Sequence, residues 1–305
     1  MIYLESFQLP IADWVDWYFS PPSLEYEEYS EKMLKLWTTL KKRFPTRIPE
    51  ANRMSGFTTW YPWQIFYQRG EDMFTFGDIT ILYGGNGSGK TTLLNVIAQK
   101  LNLHRSTLYN RSSFFDDYLK FCDSFLGRNE KSQLAIQKGC IITSDDVFDN
   151  ILKKREENQN IDHQRSLLVE QYFGRTVKKK KDPTCSQYVR GQLQNNQGEQ
   201  SNGETAFNFF VNAIKDDSLI LLDEPENSLS AQWQMELAQF LQGAIREFNC
   251  QLIIATHSPF ILSIPGAKIY DLDVTPIQTG KWYDLKNMKC YYELFKRHED
   301  NFNVK

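Results

Sequence analysis

The sequence lacks any apolar run long enough to cross a membrane. Its apolar stretches, such as Ser218–Leu222, fall far short of the roughly 20 residues that a spanning helix needs. The first ten residues carry Glu5 and no basic region followed by a long apolar core, which argues against a secretory signal. We therefore expect a protein without direct membrane insertion, located in the cytoplasm.

Paired cysteines and a strong net charge are also missing. The cysteines form no Cys-x-x-Cys pair, so neither a zinc site nor a disulfide framework is indicated and reduced thiols are expected at positions 122, 140, 185, 250 and 290. The net charge of -3 gives no overall basic field, so any nucleic-acid contact has to be local. Lys178–Lys181, with Arg175 and Arg190 nearby, leaves that contact open, and a solvated loop is the alternative.

What is present in the first part of the chain is a set of short predicted elements. We predict strands at Ile2–Leu9, Thr58–Tyr67 and Phe74–Tyr83, and a helix over Lys90–Leu101. The spacing of apolar residues over Leu24–Phe44 is compatible with another helix. Residues 104–199 are polar and irregular, which indicates a mostly helical region ending in a loop.

The last third alternates between helices and strands. Helices are predicted over Glu204–Ile214 and Ser230–Phe248, and apolar strands over Leu219–Leu222 and Leu252–Ala255. Continuous apolar strands that alternate with helices are typical of a mainly parallel sheet covered on both faces.

A glycine-rich motif follows the predicted strand Phe74–Tyr83 and leads into a predicted helix. Its sequence, Gly84-Gly85-Asn86-Gly87-Ser88-Gly89-Lys90-Thr91, fits G-x-x-x-x-G-K-[ST], and we call it the phosphate loop. Glycines let successive backbone N–H groups approach phosphate oxygens, and the helix start adds its positive dipole end. Lys90 is expected to reach the β- and γ-phosphates and Thr91 to bind Mg²⁺, with Thr92 completing the binding set.

Polar residues end both apolar strands of the last third. Asp223 and Glu224 follow 219–222, where Asp223 is expected to bind Mg²⁺ and Glu224 to orient and deprotonate the attacking water. His257 follows 252–255 and is placed to contact the γ-phosphate or that water. Taken alone, the Asp-Glu pair could be a turn signal and His257 a structural histidine.

With these residues in place, the sequence resembles the ABC ATPase superfamily from about Ile2 through Leu262. The discriminating piece is Ser201-Asn202-Gly203-Glu204, which we call the signature turn and which is similar to the family's signature loop. The resemblance implies that Ser201 and Gly203 bind the γ-phosphate of ATP held by the phosphate loop of a second copy, in a head-to-tail homodimer with Mg²⁺. A simple helix N-cap is the alternative for Ser201, and the two roles are compatible.

The resemblance also implies the fold. It is an α/β P-loop NTPase of the ABC type, with a mainly parallel sheet flanked by helices, an antiparallel N-terminal portion and a helical lobe. We expect one domain over 1–305, an N-terminal insertion at about 11–55 and the helical lobe at about 105–200. Adenine is expected to stack on an aromatic side chain from 60–67, with Trp63 and Phe66 the first candidates.

The sequence departs from the family pattern in two places. The loop Glu226–Ser230 lacks the aspartate with which transporter domains usually end it, and no clear glutamine loop is present. The segment Gly139–Asn150 is similar to the corresponding strand of stand-alone ATPases, with Ser144 or Asp145 where a metal-facing glutamine would be.

Three kinds of ABC protein fit the motifs to different degrees. The interval between Lys90 and Ser201 holds no sustained heptads, which leaves no room for the long coiled coils of SMC-like or repair ATPases. The unusual signature turn and the missing glutamine resemble the bacterial "AAA family" ATPases, several of which work in anti-phage or DNA-maintenance systems beside a nuclease or toxin. We favour such a soluble regulatory ATPase with a separate effector, and keep open a transporter's nucleotide-binding subunit and an ATPase that acts directly on DNA.

Overall fold

A computed structural model describes residues 1–10, 60–67, 69–70, 73–174, 184–193 and 201–302. The predicted N-terminal insertion at about 11–55, its helix over Leu24–Phe44 and the basic run Lys178–Lys181 lie outside these residues.

The described elements alternate along the chain. The strands are β1 (Leu4–Gln8), β2 (Met73–Thr75), β3 (Ile79–Tyr83), β4 (Asp123–Leu126), β5 (Cys140–Thr143), β6 (Leu219–Asp223), β7 (Gln251–Ala255), β8 (Lys268–Asp271) and β9 (Gln278–Gly280). The α-helices are α1 (Trp63–Phe66), α2 (Lys90–Lys100), α3 (Phe115–Phe121), α4 (Glu130–Gln137), α5 (Ser144–Phe173), α6 (Cys185–Arg190), α7 (Asn202–Ala213), α8 (Ala231–Glu247), α9 (Pro259–Leu262), α10 (Lys286–Arg297) and α11 (Glu299–Phe302).

The larger sheet has the order β5-β6-β7-β3-β8-β9. All neighbours in it are parallel except β8 and β9, which are antiparallel. Every residue of β3, β6 and β7 is buried, as expected for strands covered on both faces. Asp223 of β6 and Leu82 of β3 both pair with Ala255 of β7. Because these strands are parallel, their carboxyl ends meet at the same edge of the sheet. The predicted mainly parallel sheet is confirmed.

A smaller antiparallel sheet, β2-β1-β4, confirms the antiparallel N-terminal portion. The buried side chain of Gln251, at the start of β7, joins the two sheets. Its Oε1 accepts hydrogen bonds from the N–H groups of Tyr3 and Leu4, and its Nε2 donates to the carbonyls of Leu4 and Gly77. These four bonds satisfy a buried amide completely, which fixes the position of one sheet relative to the other.

The predicted strand Phe74–Tyr83 is wrong as a single element. The chain leaves the small sheet after β2 and enters the large sheet at β3, and Gly77 N–H donates to Thr80 Oγ1 at 3.0 Å between them. The sequence pattern changes at this point. Apolar residues alternate with polar ones in and after β2, which is typical of a sheet with one covered face, whereas β3 is a nearly continuous apolar run, which is typical of a strand covered on both faces.

The predicted strand Thr58–Tyr67 is also wrong in its described part. Residues 63–66 form the helical turn α1, in which Trp63 and Phe66 are three residues apart and both buried. Both side chains belong to the core on the α2 side of the large sheet. The aromatic residues of this region therefore serve packing first, because helical spacing places them on one face.

The helices predicted in the last third are confirmed. Helix α8 buries Leu237, Ala238, Leu241 and Ala244 against the face of the large sheet opposite α2. Burial of each leucine contributes about 1.5–3 kcal/mol. Helix α7 packs beside α8, and its first residues form the signature turn.

Residues 105–200 hold more than helices. Strand β4 lies in the small sheet and β5 in the large one, and the long, mostly exposed helix α5 begins directly after β5. The single domain over 1–305 and the lobe at about 105–200 stay predictions. None of the helices in the described ranges combines the length and the apolar content that a membrane crossing requires.

Candidate functional site

The phosphate loop connects β3 to α2 and lines an open cavity of about 290 Å³. Gly84 and Gly89 have φ values of 156° and 103°, which L side chains rarely adopt. A Cβ at Gly84 would lie 2.5 Å from Ser88 Oγ, and one at Gly89 would lie 2.6 Å from Ile65 Cγ2. Glycine is therefore required at both positions. The cavity is lined by Ile65, Asn86, Gly87, Gly89, Lys90, Thr91, Thr92 and Glu224.

The side chain of Lys90 is buried and lines this cavity. Its Nζ donates to the carbonyl oxygens of Gly84 at 2.7 Å and Gly85 at 3.2 Å, and lies 3.0 Å from His257 Nε2. Burial lowers the pKa of Lys90, while the carboxylates of Glu224 and Asp223 oppose that change. The carbonyl oxygens that Lys90 contacts can be exchanged for phosphate oxygens.

Thr91 and Asp223 meet at the end of β6. Thr91 Oγ1 donates to Asp223 Oδ1 at 3.0 Å, which places two hard oxygen ligands side by side. Burial raises the pKa of Asp223 to about 6, and the hydrogen bond from Thr91 opposes that rise. A buried carboxylate short of positive charge, beside a hydroxyl, fits a small divalent cation such as Mg²⁺.

Glu224 is held in a left-handed backbone conformation, with φ 49° and ψ 54°, at the point where β6 ends. Its Oε1 lies 3.4 Å from His257 Nε2 and 3.8 Å from Lys90 Nζ, and its Oε2 accepts from Asn227 Nδ2 at 3.0 Å. The pKa of Glu224 is lowered to about 2, chiefly by the hydrogen bond with His257. The hydrogen bond from Asn227 and the charge of Lys90 lower it further, whereas burial opposes the change. Its carboxylate is therefore ionised at neutral pH. A left-handed non-glycine residue costs about 1–3 kcal/mol, a strain often found at functional sites.

The structure thus brings Lys90, Thr91, Asp223, Glu224 and His257 together. Sequence reasoning missed Asn227, which orients Glu224. It also missed the role of Glu226, whose Oε1 accepts from the N–H groups of His257 at 2.6 Å and Ser258 at 3.1 Å. The signal for both was the loop after Pro225, which was recognised only as a departure from the family pattern.

The signature turn begins α7 on the exposed surface. Ser201 Oγ accepts from the Glu204 N–H at 3.2 Å, which is the predicted N-cap. Arg155 of α5 donates from Nη2 to Asn202 Oδ1 at 2.8 Å. Ser201 and Asn202 are exposed, and neither Ser201 nor Gly203 is among the residues that line the cavity of the phosphate loop.

Gly203 lies against the indole ring of Trp233. A Cβ at Gly203 would be 2.5 Å from Trp233 Cδ1 and 2.9 Å from its Nε1. The same ring also packs against Phe207, one turn further along α7, with ring centroids 5.3 Å apart. The Trp233 side chain of α8 therefore limits how closely the signature turn can approach α8. No sequence motif indicates this contact, because the two residues are distant in sequence.

We expect Gly203→Ala to displace the signature turn and lower the ATP hydrolysis rate about ten-fold. Trp233→Leu in the same chain removes the obstacle, so the double variant should hydrolyse ATP faster than Gly203→Ala alone. Steady-state rates of both single variants and the double variant give the coupling between the two positions. A double variant with only the product of the two single losses would contradict this account of Gly203.

Neither residue named for the metal-facing position after β5 is buried, since Ser144 is half-buried and Asp145 is exposed. The buried polar residues of this segment are Thr143, which lies beside Asp223 in the sheet, and Asp146. Together they cap α5, because Asp146 Oδ2 accepts from the N–H and the hydroxyl of Thr143. The role of Ser144 or Asp145 as a metal ligand stays a prediction.

The two aromatic residues chosen first for adenine stacking are core residues. Trp63 is only 3% exposed and packs edge-on against Tyr118 and Phe121 at 4.8 and 5.4 Å. Phe66 is 7% exposed. The residue of this segment on the cavity wall is Ile65. Their choice as first candidates was wrong, because helical spacing turns both rings inward.

Residues 101–263 match the family model described as "AAA domain, putative AbiEii toxin, Type IV TA system". This match covers more than half of the chain and includes the signature turn, Asp223, Glu224 and His257. The chain belongs to this AAA domain family. With the phosphate loop just before the matched range, it is an ATPase of the P-loop ABC type.

Relatives of this AAA domain protein include ATP-binding proteins of bacteria. The Tyrosine transport ATP-binding protein of Clostridioides difficile is 25% identical over 204 residues, covering 60% of this chain and 70% of the relative. The Lipoprotein-releasing system ATP-binding protein LolD of Oleidesulfovibrio alaskensis is 24% identical over 214 residues, covering 68% and 83%. A solved structure described as a dimeric bacterial ABC transporter cassette, MJ0796, is 15% identical with a TM-score of 0.35, covering 71% of this chain and 94% of that one. The fold assignment rests on the strand order and loop geometry given above.

Proposed function

We propose that this ATPase binds and hydrolyses ATP with Mg²⁺ in a head-to-tail homodimer. Each nucleotide then lies between the phosphate loop of one copy and the signature turn of the other. One observation carries the proposal: the signature turn is exposed and takes no part in the cavity of its own chain. A helix start can bind an anion, because the free N–H groups of its first turn point along the helix axis beyond the N-terminal end.

The residues of the cavity divide the work of phosphoryl transfer. Lys90 exchanges its bonds to Gly84 and Gly85 for β- and γ-phosphate oxygens, because an anion of higher charge competes for the same donors. Thr91 and Asp223 would hold Mg²⁺, and the bound ion would supply positive charge that neutralises the phosphates. Glu224 is left to accept a proton from the attacking water.

His257 and Glu224 act as a pair. In the present arrangement Lys90 lies near both side chains, at 3.0 Å from His257 and 3.8 Å from Glu224. When Lys90 turns to the phosphates, Glu224 loses one of the positive groups that depress its pKa, so its proton affinity rises at the moment a base is needed. His257 remains within reach of the γ-phosphate or the water, and Glu226 fixes its backbone.

We further propose that the dimer is a cytoplasmic regulatory ATPase whose ATP state controls a separate effector. The family description carries the words "putative AbiEii toxin, Type IV TA system", which supports a setting of the toxin-system kind for this chain. The separate effector, of the nuclease or toxin class, is part of the proposal. A role in anti-phage defence or DNA maintenance is the expected setting. Nucleic-acid binding stays open, since the basic run at 178–181 lies outside the described residues.

A transporter subunit is the second candidate. The names of the tyrosine-transport and lipoprotein-releasing relatives favour it. In that case a separate membrane permease would bind this chain.

Partner capture in the trapped state distinguishes the two candidates. Tagged Glu224→Gln protein is isolated from its native cell with ATP and Mg²⁺, and the co-purifying proteins are identified. Lys90→Ala, which we expect to lose nucleotide binding, is the matched control. A nuclease or toxin that is bound only by Glu224→Gln supports the regulatory ATPase. A membrane permease bound in its place supports the transporter subunit instead.

A further inference from the structure

A carboxylate from outside the predicted motifs lies against the entry of the phosphate loop. Asp273 Oδ1 accepts a hydrogen bond from the Gly85 N–H at 2.7 Å. The same oxygen is 3.2 Å from the position that a Cβ of Gly84 would take. Neither Asp273 nor Gly85 is among the residues that line the cavity, so this contact lies outside the cavity wall.

Asp273 is carried by the sheet itself. Strand β8 pairs with β3 up to Tyr83 and Asp271, and the next residue, Leu272, donates its N–H to the Tyr83 carbonyl at 2.8 Å. Leu272 is fully buried, and its carbonyl accepts from Arg69 Nη1 at 2.7 Å. The Asp273 N–H in turn donates to Asp271 Oδ1 at 2.9 Å. The carboxylate therefore has a backbone tied to the strand that leads into the phosphate loop.

Two side chains hold the Gly84–Gly85 segment. Lys90, which lines the cavity, donates to both carbonyls, and Asp273, which does not line it, accepts from the Gly85 N–H. Phosphates that enter the cavity would compete for the Lys90 donors, whereas Gly85 does not line the cavity and its N–H is already bonded to Asp273. Asp273 is thus the side-chain contact that persists while the loop holds a nucleotide.

We propose that Asp273 is a positioning residue for nucleotide binding, which braces the entry of the phosphate loop through the Gly85 N–H. This proposal rests on the chain being a P-loop ATPase and is independent of the homodimer. A flexible glycine pair loses much conformational freedom on binding, so a brace that orders it beforehand raises affinity. A carboxylate that merely lay near a polyphosphate would do the opposite, since like charges repel.

If Asp273 braces the loop, its removal weakens nucleotide binding, and if its charge only repels the phosphates, its removal strengthens binding. We expect Asp273→Ala to weaken ADP and ATP binding about ten-fold, the equivalent of about 1.4 kcal/mol. Asp273→Asn keeps an acceptor oxygen in the same place and loses only the charge, so its affinity should fall between those of wild type and Asp273→Ala. The turnover rate at saturating ATP should stay within about two-fold of wild type, because the contact acts on binding rather than on the water or the metal ligands.

The test is titration calorimetry of ADP binding, together with the KM and kcat of ATP hydrolysis, for wild type and both variants. ADP binding to one phosphate loop needs no second copy, so the result does not depend on the dimer. Urea unfolding of the unliganded variants checks that the fold is retained. Asp273→Ala binding within about two-fold of wild type, or tighter than wild type, would overturn the proposal, and so would an Asp273→Asn variant weaker than Asp273→Ala.

Discussion

Replacing Glu224 by glutamine is expected to lower the rate of ATP hydrolysis by about 10²–10⁴-fold and to leave ATP binding intact. The substitution keeps the size of the side chain and its contact with Asn227, but removes the carboxylate that accepts the proton of the water. It also removes a negative charge 3.8 Å from Lys90, so the loop should hold a triphosphate at least as well as before. Steady-state phosphate release and binding of a fluorescent ATP analogue measure the two effects.

Glu224→Gln should also trap the dimer when ATP and Mg²⁺ are present. Hydrolysis is the step that would release the γ-phosphate from between the two copies, so a slow variant accumulates in the closed state. Light scattering with and without ATP measures the mass of the particle. Glu247→Gln, which removes an exposed carboxylate at the end of α8, is the matched control and should behave as wild type. A Glu224→Gln protein that stays monomeric at every ATP concentration contradicts the proposed head-to-tail homodimer.

Ser201→Arg is expected to reduce ATP hydrolysis by about 100-fold or more, with ADP binding by the same chain unchanged. Arginine removes the hydroxyl that caps α7 and places a long, charged side chain on the exposed surface where the second copy's nucleotide would lie. The affected nucleotide belongs to the other copy, so binding to the variant's own phosphate loop survives. Hydrolysis rates and ADP calorimetry on the same preparation separate the two effects.

Loss of a helix cap alone costs about 1 kcal/mol of stability, and this has to be separated from a loss of function. Asn129 caps α4 in the same manner, since its Oδ1 accepts from the Ser132 N–H at 3.0 Å. Ser201→Ala and Asn129→Ala should therefore destabilise the chain comparably, but only Ser201→Ala should slow hydrolysis. Equal rates for the two alanine variants would reduce Ser201 to a structural cap.

The side chains that meet at the cavity could be predicted from sequence because each stands at the end of a locally recognisable element. Lys90 and Thr91 follow a glycine-rich turn between a strand and a helix, and Asp223 and Glu224 follow an apolar strand. Parallel pairing of such strands brings their ends to one edge without further information. The same local chemistry identified Ser201 as the start of a helix.

Residues that act through distant contacts could not be found in this way. Asp273 reaches the phosphate loop only because β8 pairs with β3, and Trp233 reaches Gly203 only because α8 packs beside α7. The split of Phe74–Tyr83 between two sheets likewise depends on Gln251, which lies far along the chain and joins them. In each case the deciding partner is remote in sequence, so no local pattern records the contact.

The central claim is that each ATP is hydrolysed by two copies of the chain, and mixing two inactive variants tests it most directly. A heterodimer of Ser201→Arg and Glu224→Gln contains one complete site, formed by the phosphate loop and Glu224 of the first variant with the signature turn of the second. We predict that an equimolar mixture regains up to about a quarter of the wild-type rate, although each variant alone is nearly inactive. A mixture no more active than the sum of its two components would show that each chain hydrolyses ATP without the signature turn of another.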